Sequence, residues 1–177
     1  QDLVQTAFGG RFTSMLNTEL RVKTGLTYGA RSAIERPRQP GATTISSFTK
    51  TESTKAAIDL AIATLDRLHQ AGLDAATIAS AKQYVAGQFA PDLETAPQLA
   101  AQLISLALYG DGRDVIDGYL GKIAAATPAQ IAAAGTVFPD SKDLVIVAIG
   151  DAAKIREAAK GYGPLTEMKL TDPRFSP

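Results

Sequence analysis

Arg21 and Tyr28 are the pair whose types and spacing could do chemistry together. Arg21 falls near the end of a predicted helix and Tyr28 near the start of a predicted strand, with Thr24-Gly25 as the turn between them. That turn folds one side chain back beside the other. A guanidinium and a phenol at a common point are two hydrogen-bond donors for a peptide carbonyl or an oxyanion. An isolated arginine and tyrosine at a helix–strand junction also serve structural ends, and spacing alone leaves both readings open.

Other candidates carry less. His69 is the single histidine and there is no cysteine. A typical zinc site needs three or four nitrogen, sulfur or carboxylate ligands, and no His-x-x-Glu-His motif is present. His69 sits in Leu68-His69-Gln70-Ala71-Gly72, late in a helix, where a histidine ordinarily serves the helix dipole or solvent. No Gly-x-Ser-x-Gly motif supports a triad around it. Gly9-Gly10 lacks the spacing of a phosphate cradle. Asp111-Gly112-Arg113-Asp114 hints at a calcium loop, but the rest of that pattern is missing and a turn with a helix cap is expected.

The elements that must position the pair follow from periodicity. Phe12, Met15, Leu16 and Leu20 fall on one face of a helix that Gly9-Gly10 precede and Thr24-Gly25 end, so residues 1–25 form a helical segment carrying Arg21. Residues 26–50 read as a hairpin: a strand from Leu26 to Arg36, a connection over Pro37 to Gly41, and an antiparallel strand from Gly41 to Lys50. Residues 51–138 read as helices. Thr51 caps one with Ile58, Ala61, Leu65 and Leu68 inward, closed by Gly72. Asp74 caps the next, with Ile78, Ala81, Val85 and Phe89 inward. Thr95 opens a third, carrying Leu99, Leu103 and Leu106 to about Leu108. Val115, Ile116, Tyr119 and Ile123 continue as another, and Thr127-Pro128 starts a short one to Val137. The apolar run Leu144 to Ile149 reads as a buried strand, 151–160 as a last helix and 161–177 as an extended tail. The result is one α+β domain over 1–177, an antiparallel sheet with helices on one face. Three strands are a thin base for so many helices, so further strands are expected from residues before the first or from another chain.

Bulk properties narrow the partners. Among 177 residues, 45% are apolar and 20% charged, with 18 basic and 18 acidic side chains and a formal net charge of +0. Without a basic stripe, nucleic acid is not an expected partner. No apolar run approaches the roughly 20 residues of a membrane span. Gln1-Asp2-Leu3 lacks a signal-peptide start and an initiator methionine, which suggests a processed product or an excised segment.

The run Gly9-Gly10-Arg11-Phe12-Thr13-Ser14-Met15-Leu16-Asn17-Thr18-Glu19-Leu20-Arg21, followed by Lys23-Thr24-Gly25-Leu26-Thr27-Tyr28, resembles the segment GG-x-F-x-S-x-L-x-x-x-LR-x-x-x-GL-x-Y of the insulinase/pitrilysin zinc metallopeptidases. In that family's non-catalytic, C-terminal domains the segment carries an arginine and a tyrosine seven positions apart, and Arg21 and Tyr28 match both types and the spacing. Leu108-Tyr109-Gly110 and the late apolar run followed by Gly150-Asp151 are similar to the family in order. The resemblance implies a clamshell of homologous domains. One half holds zinc through His-x-x-Glu-His. The other supplies the Arg/Tyr pair across a chamber that takes unfolded or short peptides. By this resemblance Tyr28 donates to the scissile carbonyl and Arg21 holds the peptide backbone or orients Tyr28. No cofactor is expected in this chain, and zinc is expected in a partner domain or subunit.

The chain departs from the pattern by lacking the zinc motif and the strands that normally precede the helix, which implies truncation at the N-terminus. An exposed sheet edge would then favour self-association. The alternative is a non-catalytic structural or assembly subunit of the same fold, which would have no need of the Arg/Tyr pair. A plain interaction domain is a third reading. It gains if Arg21 or Tyr28 is buried in structural bonds. A bacterial, periplasmic or otherwise extracytoplasmic setting is expected, because many relatives are exported.

Overall fold

The chain opens with Leu3, Val4, Ala7 and Phe8 on one side of a helical turn, and burying that stripe sets the first element. The computed structural model describes residues 1–35 and 41–171. The expected strand end at Arg36, most of the 37–41 connection and the tail beyond Thr171 lie outside them. Helix α1 runs over Asp2–Gln5 and widens into a π turn over Thr6–Gly10. Gly9-Gly10 therefore end a helix, where the sequence reading had them precede one. The buried stripe of Leu3, Val4, Ala7 and Phe8 is the signal for it.

Arg11 breaks the helix with extended backbone (φ −144°, ψ 169°). Ser14 restarts it, its Oγ accepting from the N–H of Asn17 at 3.4 Å. Helix α2, Met15–Asn17, then widens into a second π turn over Thr18–Lys23. The expected single helix over 1–25 is thus two helices with a loop between. Phe12 lies in that loop, 59% exposed, and not on the core face expected of it. Leu16 and Leu20 are fully buried as the spacing required. Gly25 ends this segment with φ +64°, a left-handed conformation that a β-carbon disfavours.

Strands β1 (Thr27–Ile34) and β2 (Thr43–Thr49) form an antiparallel pair. Thr27 faces Thr49 and Ala30 faces Ser47, so Tyr28 and Gly29 together oppose Phe48 in a β-bulge. One face, with Thr27, Ala30 and Ser32 buried, turns to the helices. The approach is close: a β-carbon on Gly9 would stand 2.4 Å from the Ser32 backbone nitrogen. The Gln5 side-chain amide donates to the Ser32 carbonyl at 3.0 Å.

A 3₁₀ turn, Thr51–Ser53, leads into α3 (Thr54–Ala71), so Thr51 opens the turn and Ser53 stands at the helix start. Next come α4 (Ala75–Phe89), α5 (Ala96–Tyr109), α6 (Asp114–Asp117), α7 (Tyr119–Ala125), α8 (Pro128–Ala134) and α9 (Ala152–Lys160). Asp74 caps α4, and Thr95 and Thr127 form full capping boxes with Gln98 and Gln130. The core joins α1, α2 and β1 to Leu65 and Leu68 of α3, Ile78, Ala81 and Val85 of α4, Ile123, Ile131 and Phe138. Phe8 and Phe138 meet edge to face at 4.6 Å between centroids. The domain is mixed helix and antiparallel sheet, as expected.

One expectation fails in the second half. Leu144 to Ile149 joins no ladder among the described residues, and Val145, Val147 and Ile149 are each at least 80% exposed. An apolar run becomes a buried strand only where a neighbouring strand accepts its hydrogen bonds, and the β1–β2 pair does not reach it. Leu99 and Leu103 of α5 are 44% and 51% exposed. Periodicity fixes which side chains share a face but not whether anything covers that face.

Gly9→Ala tests the close approach of α1 to β1. A methyl there meets backbone that cannot yield without parting the two elements. The variant is expected to lose about 1–3 kcal/mol of stability in chemical denaturation; an unchanged midpoint would show that the contact can relax.

Candidate functional site

A groove of about 600 Å³ opens between the Gly9–Phe12 loop, Arg21 and the outer face of the hairpin. Three local features build it. The first is the π turn, which delivers Arg21 at its last residues; single π turns of this kind recur at functional sites. The Thr24 hydroxyl donates to the carbonyls of Glu19 and Leu20, satisfying groups the helix end leaves open.

The second is the bulge. Along a regular strand Tyr28 and Arg31, three residues apart, would point to opposite faces. The extra residue at Tyr28-Gly29 reverses the alternation. Tyr28 and Arg31 therefore share the outer face with Ser46 and Phe48, while Thr27, Ala30 and Ser32 stay on the core face. The Thr27 hydroxyl accepts from the Gly29 N–H at 3.1 Å and so holds the bulge shut.

The third is Asn17, which is 4% exposed. Its amide NH₂ donates to the Phe12 carbonyl at 2.7 Å and its Oδ1 accepts from the Ala30 N–H at 3.2 Å. One side chain thus ties the loop carrying Phe12 to the strand just past the bulge. Arg11 fixes the other side of the loop, donating to the carbonyl and hydroxyl of Ser80 at 3.0 and 2.9 Å.

These anchors place Arg21 beside Tyr28. The Arg21 guanidinium carbon lies 4.4 Å from the Tyr28 ring centroid and 4.7 Å from that of Phe12. Two aromatic faces flank a half-buried cation, a geometry that restrains the long side chain through cation–π attraction. No carboxylate pairs with Arg21 among the described residues, and the Tyr28 ring is 74% exposed. Neither group is consumed by structural hydrogen bonds, which removes the support a plain interaction domain would have needed.

Behind Arg21, Glu19 ties the π turn to α3. Its Oε1 accepts from Lys23 at 2.9 Å and from Arg67 at 2.8 Å, and its side chain is only 12% exposed. The hydrogen bond from Lys23, joined by that from Arg67, holds this carboxyl below its ordinary value despite the opposing effect of burial.

The other candidates stay apart. His69, in the last turn of α3, has its Nε2 3.1 Å from the Pro139 carbonyl oxygen. Asp111 to Asp114 form a turn before α6, with Arg113 paired to Asp117. Among the described residues no group of three His, Asp or Glu side chains could hold a metal ion, so the residues present do not fit a zinc site. Sequence reasoning missed Asn17, Arg31 and the surface role of Phe12. A signal existed for Arg31: an isolated glycine within a strand marks a bulge, and a bulge inverts the alternation after it.

Fold and site together define a helix-backed antiparallel sheet that presents Arg21 and Tyr28 on an open face, with no metal-binding cluster among the described residues. Residues 1–85 match the family model described as the peptidase M16 inactive domain, a zinc-dependent family. The resemblance to the insulinase/pitrilysin peptidases is thereby met. The fold is shared with solved structures. The peptidase M16 inactive domain from Pseudomonas fluorescens is 23% identical with a TM-score of 0.69, over 75% of this chain and 32% of that one. A conserved protein from Enterococcus faecalis is 19% identical (0.66; 77% and 32%). A protease from Helicobacter pylori is 18% identical (0.62; 79% and 34%). The chain therefore spans about a third of the length of these structures. No curated protein matches it.

The Glu19 anchor has a pH signature. A carboxyl whose folded pKa is depressed contributes stability above its unfolded value, near 4.5, and loses it as pH falls through the lower folded value. Glu19→Gln should be less stable than the parent at pH 7, and thermal melts of the two should converge as pH falls below that range. A constant difference across pH would mean that the charge of Glu19 is not what anchors the turn.

Proposed function

We propose that this chain is the substrate-binding, non-zinc half of a zinc metalloendopeptidase and works with a zinc-bearing His-x-x-Glu-His partner domain or subunit. The observation that carries this reading is the Arg21–Tyr28 pair: a restrained guanidinium that lines an open groove beside an exposed phenol, neither with a hydrogen-bond or ion-pair partner among the described residues. Zinc bound by the partner would be the source of activated water. The chain's own contribution is orientation and charge stabilisation. Arg21 donates to a backbone carbonyl of the bound peptide and steadies the Tyr28 ring. The Tyr28 hydroxyl donates to the scissile carbonyl oxygen as negative charge grows on it. A bacterial extracytoplasmic setting belongs to the same proposal.

A second reading, an assembly subunit of this fold, draws on a different observation. Leu99, Leu103, Ile104 and Leu108 of α5 and the run Val145 to Ile149 are exposed apolar side chains, and a contiguous exposed apolar face marks an interaction surface. The two readings separate on activity. The chain is assayed on a quenched fluorescent peptide alone with zinc, then mixed with a family-type zinc half from the same source. Cleavage only in the mixture is expected; none in either case would favour the assembly subunit.

In that mixture Tyr28→Phe keeps the ring against Arg21 and removes the hydroxyl, so kcat should fall about 100-fold with little change in peptide affinity. Unchanged turnover would take Tyr28 out of the mechanism. Arg21→Ala should raise KM and lower kcat together, because it removes a peptide contact and loosens Tyr28. Normal kinetics would return Arg21 to a structural role.

A further inference from the structure

Arg31 adds to the groove a function that the Arg21–Tyr28 pair does not supply. The bulge brings its side chain to the outer face, where its Nε donates to the Ser46 hydroxyl oxygen at 3.2 Å. That contact engages Nε alone, and the exposed Arg31 side chain lines the groove. The same contact leaves the Ser46 O–H as a donor. The charged residues lining the groove are Arg11, Arg21 and Arg31, with no Asp or Glu among the lining. Arg11 is taken up by Ser80, and neither Arg21 nor Arg31 has an ion pair among the described residues. Chain-wide the basic and acidic side chains balance at 18 each, so this local excess of unpaired cations is a property of the groove. Two guanidiniums, which offer only donors, and a hydroxyl whose O–H is left to donate are complementary to a carboxylate, which offers only acceptors. Phe12 and Phe48, 59% and 66% exposed, border the same groove and suit an apolar neighbour of that carboxylate.

We propose that Arg31, with Ser46 and Arg21, is a specificity-determining subsite for a peptide carboxylate, supplied by an Asp or Glu side chain or by a free C-terminus. This rests on the peptide-binding reading of the groove. Arg31 takes no part in bond cleavage; it selects among peptides that Arg21 and Tyr28 then hold.

The test is fluorescence anisotropy of this chain with dye-labelled decapeptides of one parent sequence that carries an aromatic residue. The first has a central Glu and an amidated C-terminus. The second has Gln in its place and is amidated. The third has Gln and a free C-terminus. The Glu peptide is expected to bind about 10-fold more tightly than the amidated Gln peptide, the scale of one partly solvated charge-assisted pair. The advantage should shrink as salt rises. If the third peptide shows the advantage and the first does not, the carboxylate read is the terminal one. In Arg31→Gln the advantage should vanish, with an unchanged thermal melt showing that the fold persists, while Arg31→Lys should retain part of it. Equal binding of all three peptides, or a preference that survives Arg31→Gln, overturns the subsite and leaves the groove as a peptide site. Failure of every peptide to bind overturns the peptide-binding reading itself, and the subsite with it.

Discussion

The Asn17 side chain is the contact on which the arrangement depends. It is a buried amide with one donor and one acceptor engaged, and each is spent on a different element. Its Oδ1 takes the Ala30 N–H, which lies immediately past the bulge, where ladder pairing is interrupted. A buried donor left without a partner costs roughly 1–3 kcal/mol, so the bulge is stable only where something nearby can satisfy it. Its amide nitrogen takes the Phe12 carbonyl and holds the loop that carries Phe12. The ring of Phe12 then forms one side of the Arg21 sandwich. Removing that amide would release the loop, the bulge and the cation together.

The distribution of rigidity follows from where the core lies. The first 85 residues contribute most of the buried side chains, from Leu3 to Val85, and they also hold the groove. Close approach at Gly9, the Gln5 bond to Ser32 and the Glu19–Arg67 pair clamp the helices to the hairpin and to α3. This is also the segment that matches the M16 inactive domain. The second half is less deeply packed. Helices α5 and α9 bury no residue fully, and the last segment is tied down by polar contacts, such as Tyr162 to Asp59 at 2.6 Å and the Arg156–Glu167 pair. The Arg21–Tyr28 pair lies in the more deeply packed half. The exposed apolar faces of the other half are the surface available to a neighbouring domain or chain.

Much of this was legible in the residues themselves. The Arg21–Tyr28 spacing, the hairpin, the caps at Asp74, Thr95, Thr127 and Asp151, and the burial of Leu16, Leu20, Leu65 and Leu68 follow from local rules of periodicity and hydrogen bonding. The short motif around the pair also pointed to the family. Phe12 was misplaced because a helical period was extended across a break, and the break is caused by Ser14 capping a new helix three residues before Asn17.

By itself, then, the sequence placed the hairpin and most of the helix starts, singled out Arg21 and Tyr28 as a donor pair, and offered one histidine and no cysteine as possible metal ligands. Only the tertiary structure decided which side of the sheet Arg31 faces, that Phe12 lies at the surface as a wall for Arg21, and that Leu144 to Ile149 finds no strand to pair with. The physical reason is the same in each case. Local propensity depends on neighbours along the chain. Side-chain facing across a bulge, aromatic contact with a cation and strand pairing depend on groups brought together from distant positions, and no spacing rule records whether they meet.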